Sequence, residues 1–346
     1  MRRPLLAPFV PLYAAAVALR NRRIDNGAEF VRRLAAPVVS IGNLSTGGSG
    51  KTPLAIAVAQ GLSRRGFQVD VLSRGYGRTS RLAARVRLDG TAEEFGDEPL
   101  LIARETGLPV YVARQRYDAG LLAEADATSD AGQAAGPCVH ILDDGFQHRQ
   151  LARAVNILLL SSQDLEDTLL PAGNLREPLR AIARADVIAV PADEPEVERY
   201  LRQVIPFDRC TEAPRFSEPI WRIRRVMQVP DVDGPVLAFC GIARPGQFFA
   251  GLQAAGLRLA ASQAFPDHHR YTARDLARLL ALAHGKNASA LVTTQKDLVR
   301  LGPLAADLSG SVPLVAAGLS VEIEDEAAAL DWLAARLAPM PARSSL

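Results

Sequence analysis

"PVVSIGNLSTGGSGKTPLAIAVAQGLSRRG", Pro37 to Gly66, decides the fold. It opens on a short β-branched apolar run, crosses a glycine-rich loop and continues with helical periodicity to a glycine. The first run reads as a buried parallel strand. The second reads as a helix with Pro53 in its first turn, where a missing N–H costs nothing. Glycine loses more entropy on folding than any other residue, so Gly47, Gly48 and Gly50 together need a reason. That reason is an anion. Backbone N–H groups close around a phosphate only where no side chain intervenes, and the next helix adds free donors and a favourable dipole. Strand, loop, Gly50-Lys51-Thr52 and helix form the P-loop pattern of nucleoside triphosphate sites. It assigns the phosphates to Thr46, Gly47, Gly48, Ser49 and Gly50, the β- and γ-phosphates to Lys51, and Mg²⁺ to the Thr52 hydroxyl. Ser45 departs from the pattern, which usually has glycine there. A glycine-rich turn that binds nothing is the bland alternative, and the placement of GKT between strand and helix counts against it.

Working outward, "FQVDVLSRGYGR", "LPVYVARQR", "CVHILDDGFQHRQ", "VNILLLSS" and "DVIAVPA" are apolar runs that break at polar clusters, with helical or loop segments between. Such alternation predicts an α/β fold with a doubly wound, mostly parallel sheet whose ligands sit at the carboxyl ends of the strands. Around 213–234 the pattern becomes apolar–charged alternation, the signature of exposed antiparallel strands, and reads as a linker. Strand–helix alternation then restarts as a smaller α/β unit. The expected division is an N-terminal segment 1–33, a P-loop nucleotide-binding domain 34–212, the β linker 213–234 and a smaller domain 235–346 that closes over the site. The tail "PMPARSSL" reads as disordered.

The 346-residue chain is long enough for two cores, and its 48% hydrophobic and 23% charged composition is that of a globular protein. Three scattered cysteines, none in a C-x-x-C pair, point to reduced thiols and away from a metal-thiolate site. Three lysines stand against 37 arginines, a bias that weakens any argument from a lone arginine. Residues 1–33 carry seven arginines against Asp25 and Glu29, flanking the apolar run Pro4–Leu19. A signal peptide would export an enzyme that needs cytosolic nucleotide, and the run is too short and proline-rich to span a bilayer. An interfacial segment on an anionic membrane surface fits better, with a buried first helix as the alternative.

"HILDDG" ends a strand in two carboxylates that can face the P-loop threonine and hold Mg²⁺; either Asp143 or Asp144 fits, and capping of the next turn is the competing use. A GTPase would show N-K-x-D; "TTQKD" has its lysine one place late, so guanine specificity is disfavoured. Phosphoryl transfer to a hydroxyl calls for a proton acceptor. "FGDEP" with Asp97 and "FPDHHRY" with His268 and His269 are the candidates, with a turn carboxylate and surface histidines as defaults.

"GNLSTGGSGKTP", "SRGYGR", "GDEP", "LDDGFQHR", "PAGNLREP", "FCGIARP", "FPDHHRY" and "TTQKD" occur in this order. In that respect the chain resembles the lipid A 4′-kinases (tetraacyldisaccharide 4′-kinases) from its N-terminal segment to about residue 300. The Ser45 departure belongs to that family's pattern. The resemblance implies ATP-dependent phosphorylation, with Mg²⁺, of the 4′-hydroxyl of a tetraacylated glucosamine disaccharide 1-phosphate. It also implies a place at the cytoplasmic face of the bacterial inner membrane, with no nucleic acid and no obligate protein partner. Carried over by position, Asp97 and His268 look like a dyad that activates the hydroxyl. Arg176 looks like a cis arginine on the transferring charge. Arg74, Tyr76, Gln147 and His148 look like the lining between phosphates and sugar, with scaffolding of the same loops as the alternative. "FCGIARP" and "TTQKD" read as hinge or packing motifs without chemistry. The competing functions are a P-loop ATPase driving assembly or transport at the membrane, and a nucleotide-binding scaffold without turnover.

Overall fold

The computed structural model describes residues 3–48, 50–129, 136–204 and 219–338. Ser49, residues 205–218 and the tail from Pro339 lie outside the described residues. The strands are β1 (Val38–Asn43), β2 (Gln68–Ser73), β3 (Ala84–Arg85), β4 (Val110–Val112), β5 (Cys138–Asp143) and β6 (Val155–Leu159). They continue with β7 (Val187–Pro191), β8 (Ile220–Gln228), β9 (Val236–Cys240), β10 (Leu259–Ala264), β11 (Ala290–Thr294) and β12 (Leu314–Ile323). All twelve join one sheet in the order β10-β9-β11-β12-β8-β7-β6-β1-β5-β2-β4-β3. Every ladder is parallel except β3–β4 and β8–β12. The doubly wound, mostly parallel α/β architecture is therefore present. β1 sits well inside the larger half, between β5 and β6, with all six residues buried. That double-sided burial is why its sequence is apolar without alternation.

The expected linker differs in detail. One strand, β8, runs through the middle of the sheet, antiparallel to β12 but parallel to β7. Trp221 and Ile223 are buried while Arg222 and Arg224 face out, so the alternation marks one covered face rather than an exposed ribbon. The division at 235 separates the chain but not the packing. The C-terminal helix Glu326–Leu337 returns to the P-loop helix Lys51–Arg64, and Leu330 and Leu333 enter the large core with Leu54 and Val58. A Cβ on Gly61 would lie 2.3 Å from Leu330 Cδ1, so glycine here lets the two helices approach. Trp332 also meets Trp221 edge-on at 6.4 Å. Strand–helix alternation along a chain does not say which part of a sheet a helix covers, and that is why the boundary read from sequence missed this return.

The N-terminus forms a 3₁₀ turn, Pro4–Phe9, and a helix, Val10–Asp25. Its inner side mixes the buried Val17 with polar contacts: Tyr13 Oη donates to Arg176 O (3.1 Å) and Asn21 Nδ2 to Glu177 Oε2 (2.9 Å). Its outer side is apolar, with Leu5, Phe9, Leu12 and Leu19 all exposed. No helix among the described residues is long and apolar enough to cross a membrane.

Candidate active site

The phosphate side is built from three loops at the carboxyl ends of β1, β5 and the strand that follows them. Gly50, with φ 93°, turns the chain into the helix that starts at Lys51. Lys51 Nζ donates to Asn43 Oδ1 (3.0 Å) and pairs with Asp144 Oδ1 (3.2 Å). Arg176 Nη1 reaches both oxygens of Asp144 (3.0 and 2.9 Å) and Gln147 Oε1 (3.2 Å), while Gln147 Nε2 donates to Asn43 O (2.8 Å). Burial raises the proton affinity of Asp144, but Lys51 and then Arg176 outweigh it and hold the carboxyl at about 2. Asp143 behaves oppositely. It is fully buried, and burial followed by the charges of Glu98 and Asp144 pushes it up to about 7. Its Oδ1 has no hydrogen-bond partner. Ser45 is buried and accepts from Asn43 Nδ2 (3.1 Å), so it serves the wall of the loop. The Thr46 N–H is spent on Asn174 O (2.9 Å).

The acceptor side is centred on Asp97. Rather than a turn carboxylate, it is a buried residue opening the helix Asp97–Thr106. Its position depends on a glycine pair. Gly96 has φ 92°, and a Cβ there would lie 3.0 Å from Gly75 Cα, so the SRGYGR and GDEP loops meet backbone to backbone. His268 Nδ1 lies 3.1 Å from Asp97 Oδ2, and the Tyr76 ring is 5.3 Å from the His268 ring. Arg300 Nε and Nη2 both reach the same oxygen (2.6 and 2.5 Å), and Lys296 Nζ pairs with Glu98 Oε1 (2.5 Å). Burial alone would raise the Asp97 pKa; the His268 hydrogen bond and the Lys296 and Arg300 charges hold it well below the usual carboxylate range.

Lys296 and Arg300 are the residues that sequence reasoning missed. "TTQKD" was seen, but its partners lie in another half of the sheet. Thr294 caps the helix Gln295–Leu301 that carries both side chains, accepting from Asp297 N (3.0 Å). "FCGIARP" has a part as well, since Gly241 O accepts from His268 N (3.1 Å) and from Arg300 Nη1. Arg74 is exposed and Tyr76 is 62% exposed, as cleft-lining groups would be. His148 is half-buried among cations: burial, then Arg116, Arg153, Arg74 and Arg20 push its pKa down to about 3. Arg116 is a further missed residue, buried with an unpartnered Nε. His269 is set apart from Asp97, stacking on Phe265 and pairing with Asp275 (3.2 Å).

Residues 2–338 match the family described as tetraacyldisaccharide-1-P 4′-kinase. The chain belongs to that family. Among tetraacyldisaccharide 4′-kinases, that of Koribacter versatilis is 42% identical over 334 residues, covering 94% of this chain and 96% of the relative. That of Aquifex aeolicus is 38% identical over 315 residues, covering 87% and 90%. A crystal structure of the "apo" form of the Aquifex aeolicus kinase LpxK in complex with ATP superposes with a TM-score of 0.71 at 32% identity. It covers 96% of this chain and 98% of that one. The P-loop and Asp97 both lie on the half of the sheet that carries β1, while His268, Lys296 and Arg300 reach Asp97 and Glu98 from the other half.

Proposed function

We propose that this chain transfers the γ-phosphoryl group of ATP to the 4′-hydroxyl of a tetraacylated glucosamine disaccharide 1-phosphate. Lys51 and the glycine amides hold the nucleotide phosphates, and Arg176, poised on Asp144, swings its charge to the transferring group. The acceptor oxygen forms its bond to the γ-phosphorus as the bond from phosphorus to the β–γ bridging oxygen breaks. The hydroxyl proton passes to Asp97, and ADP leaves. His268 orients Asp97 and shares the charge that results. A carboxylate of low proton affinity suffices, because a loose transition state demands little of the base until the new O–P bond has formed. The observation that carries this reading is the 3.1 Å contact of His268 with Asp97 across 171 residues of chain.

The residues suit Mg²⁺. The buried Asp143 Oδ1 has no hydrogen-bond partner, and a hydroxyl with a carboxylate is the hard-oxygen donor set this ion takes. Thr52 and Asp143 would hold it, with Asp144 already engaged by Lys51 and Arg176. No three His, Cys, Asp or Glu side chains converge as a metal site among the described residues, so an ion held by Thr52 and Asp143 would need further oxygen ligands from outside the protein. When bound, the ion supplies neutralisation of phosphate charge. Arg74 and Arg116 give the cleft a positive lining suited to a phosphorylated sugar, and His148, kept neutral by burial and by those charges, adds a polar group beside them.

The exposed apolar side chains of the first helix and its arginines suit contact with an anionic bilayer, at the cytoplasmic face of the inner membrane. A lipid acceptor leaves the bilayer at a cost of roughly 0.8 kcal/mol per CH₂, so the enzyme must come to it. The smaller half, from 235 onward, closes the cleft over bound nucleotide. Incubation with γ-labelled ATP and the disaccharide lipid tests the function: labelled lipid is the expected product. Hydrolysis without it would instead favour an ATPase, and binding without turnover a scaffold.

A further inference from the structure

We propose that Arg300 is the positioning residue for Asp97: carried by the other half of the sheet, it fixes the carboxylate that takes the acceptor proton. The inference rests on the reading of Asp97 given above. Arg300 is only 6% exposed in its side chain, and its donors are divided between two tasks. Nε and Nη2 grip Asp97 Oδ2, while Nη1 donates to Gly241 O and to Asp297 Oδ1 (3.0 Å). Asp297 is itself held rigidly. Its Oδ1 accepts from Gly241 N (3.1 Å) and Tyr271 Oη (3.0 Å), and its Oδ2 from Thr294 Oγ1 (2.6 Å). The guanidinium is thus bolted to a buried frame on one side and offers a two-point contact on the other. Asp97 Oδ1 completes the alignment by accepting Glu98 N (2.9 Å).

The charged groups facing Asp97 come from three elements. Lys296, Arg300 and Asp297 lie on the helix Gln295–Leu301, His268 and Asp267 on the loop after β10, and Glu98 beside Asp97 on its own helix. Arg300 Nη2 is 3.3 Å from His268 Nδ1, and the two side chains converge on one carboxylate oxygen. Stability does not explain this arrangement. Buried ion pairs cost desolvation energy that well-packed apolar residues avoid, so joining two halves of a protein with them is an inefficient glue. A carboxylate whose angle and charge state must be fixed does explain it. Lysine could supply the charge but not the fork.

The test is the pH dependence of kcat and KM for lipid and for ATP, measured for wild type, Arg300→Gln, Arg300→Lys and Asp97→Asn. Arg300→Gln should lose roughly 100-fold in kcat, the scale of a misplaced catalytic group, with KM for ATP little changed. Losing a facing cation raises the proton affinity of Asp97, so the acid limb of kcat should move up by about one pH unit. Arg300→Lys should keep the limb near its wild-type position and recover part of kcat, roughly to within 10-fold. A limb unmoved in Arg300→Gln, or a folded Arg300→Lys with wild-type kcat, overturns the proposal; the second holds even where Arg300→Gln fails to fold. Wild-type turnover of Asp97→Asn would instead sink the reading of Asp97 and leave the Arg300 measurements to stand separately.

Discussion

Asp144 and Asp97 are each gripped by two basic side chains, yet the two grips are assembled over very different stretches of chain. Asp144 meets Arg176 only 32 residues away, and it also pairs with Lys51, which follows the neighbouring strand. Asp97 meets His268 and Arg300 at separations of 171 and 203 residues. The first cluster belongs to one half of the sheet and forms with it. The second exists only where the helix Gln295–Leu301 lies against the helix Asp97–Thr106. On the function proposed above, the difference separates two abilities: nucleotide binding would depend on one half, and transfer on both.

The sharpest way to break this division is Lys51→Ala. It should cut turnover by about 10³-fold or more, because a charge aimed at the transferring group inside a dry site is lost. Arginine should not rescue it, since a broad planar fork does not replace a compact ammonium wedged between Asn43 and Asp144. Steady-state turnover beside a melting curve is the check. Near wild-type turnover in a folded variant would remove the phosphate-side assignment.

On the other side, Asp97→Asn and His268→Ala should each lose about 10²- to 10³-fold in lipid phosphorylation while ATP affinity holds. As parts of one unit they should be strongly non-additive. A double-mutant cycle decides. If the double loss equals the product of the single ones, the two residues work independently.

A milder effect is expected at the first helix. Leu12→Ser with Leu19→Ser removes apolar surface that faces outward without touching the Tyr13 and Asn21 contacts. Vesicle binding should fall by roughly 10-fold or more for two buried leucine side chains, with ATP binding unchanged. Co-sedimentation with anionic vesicles at low and high salt measures it; equal sedimentation of variant and wild type would place the membrane contact elsewhere.

The smallest effect concerns His148, whose pKa in the folded protein is about 3 against an ordinary 6.5. The unfolded chain therefore binds the extra proton first. Stability is complete above the unfolded value and is lost as pH falls through it toward the folded one. His148→Gln should flatten part of that loss, seen as a smaller gap between denaturation midpoints at neutral and mildly acid pH. An unchanged gap would mean that the cationic surroundings of His148 are not as dense as described.

What could be read from the sequence follows the same divide. β1, the glycine loop and the helix at Lys51 are sequence neighbours, so local grammar suffices for them, and β5 announces itself by an apolar run ending in Asp143 and Asp144. Asp97 and His268 stand out singly as proton-acceptor candidates, but only the resemblance joins them into a pair, since neither spacing nor composition does. Arg300 was hidden twice: it is one of 37 arginines, and its partner is half a chain away. "TTQKD" also has an ordinary use, because Thr294 and Asp297 really do cap a helix. Arg116 carried no motif at all. β3 was missed because it is two residues long, and β10 because "LAASQA" is small and polar at the sheet's edge.

The antiparallel seam between β8 and β12 has a mechanical meaning. Six residue pairs, from Gly318 with Gln228 to Ile323 with Ile223, bind the two halves edge to edge. A ladder of this kind resists being pulled apart, because every bond lies across the gap, but an antiparallel ribbon accepts extra twist readily. Asp97 and Arg300 lie on opposite sides of this seam, so a twist about it would slide them past each other rather than pull them straight apart.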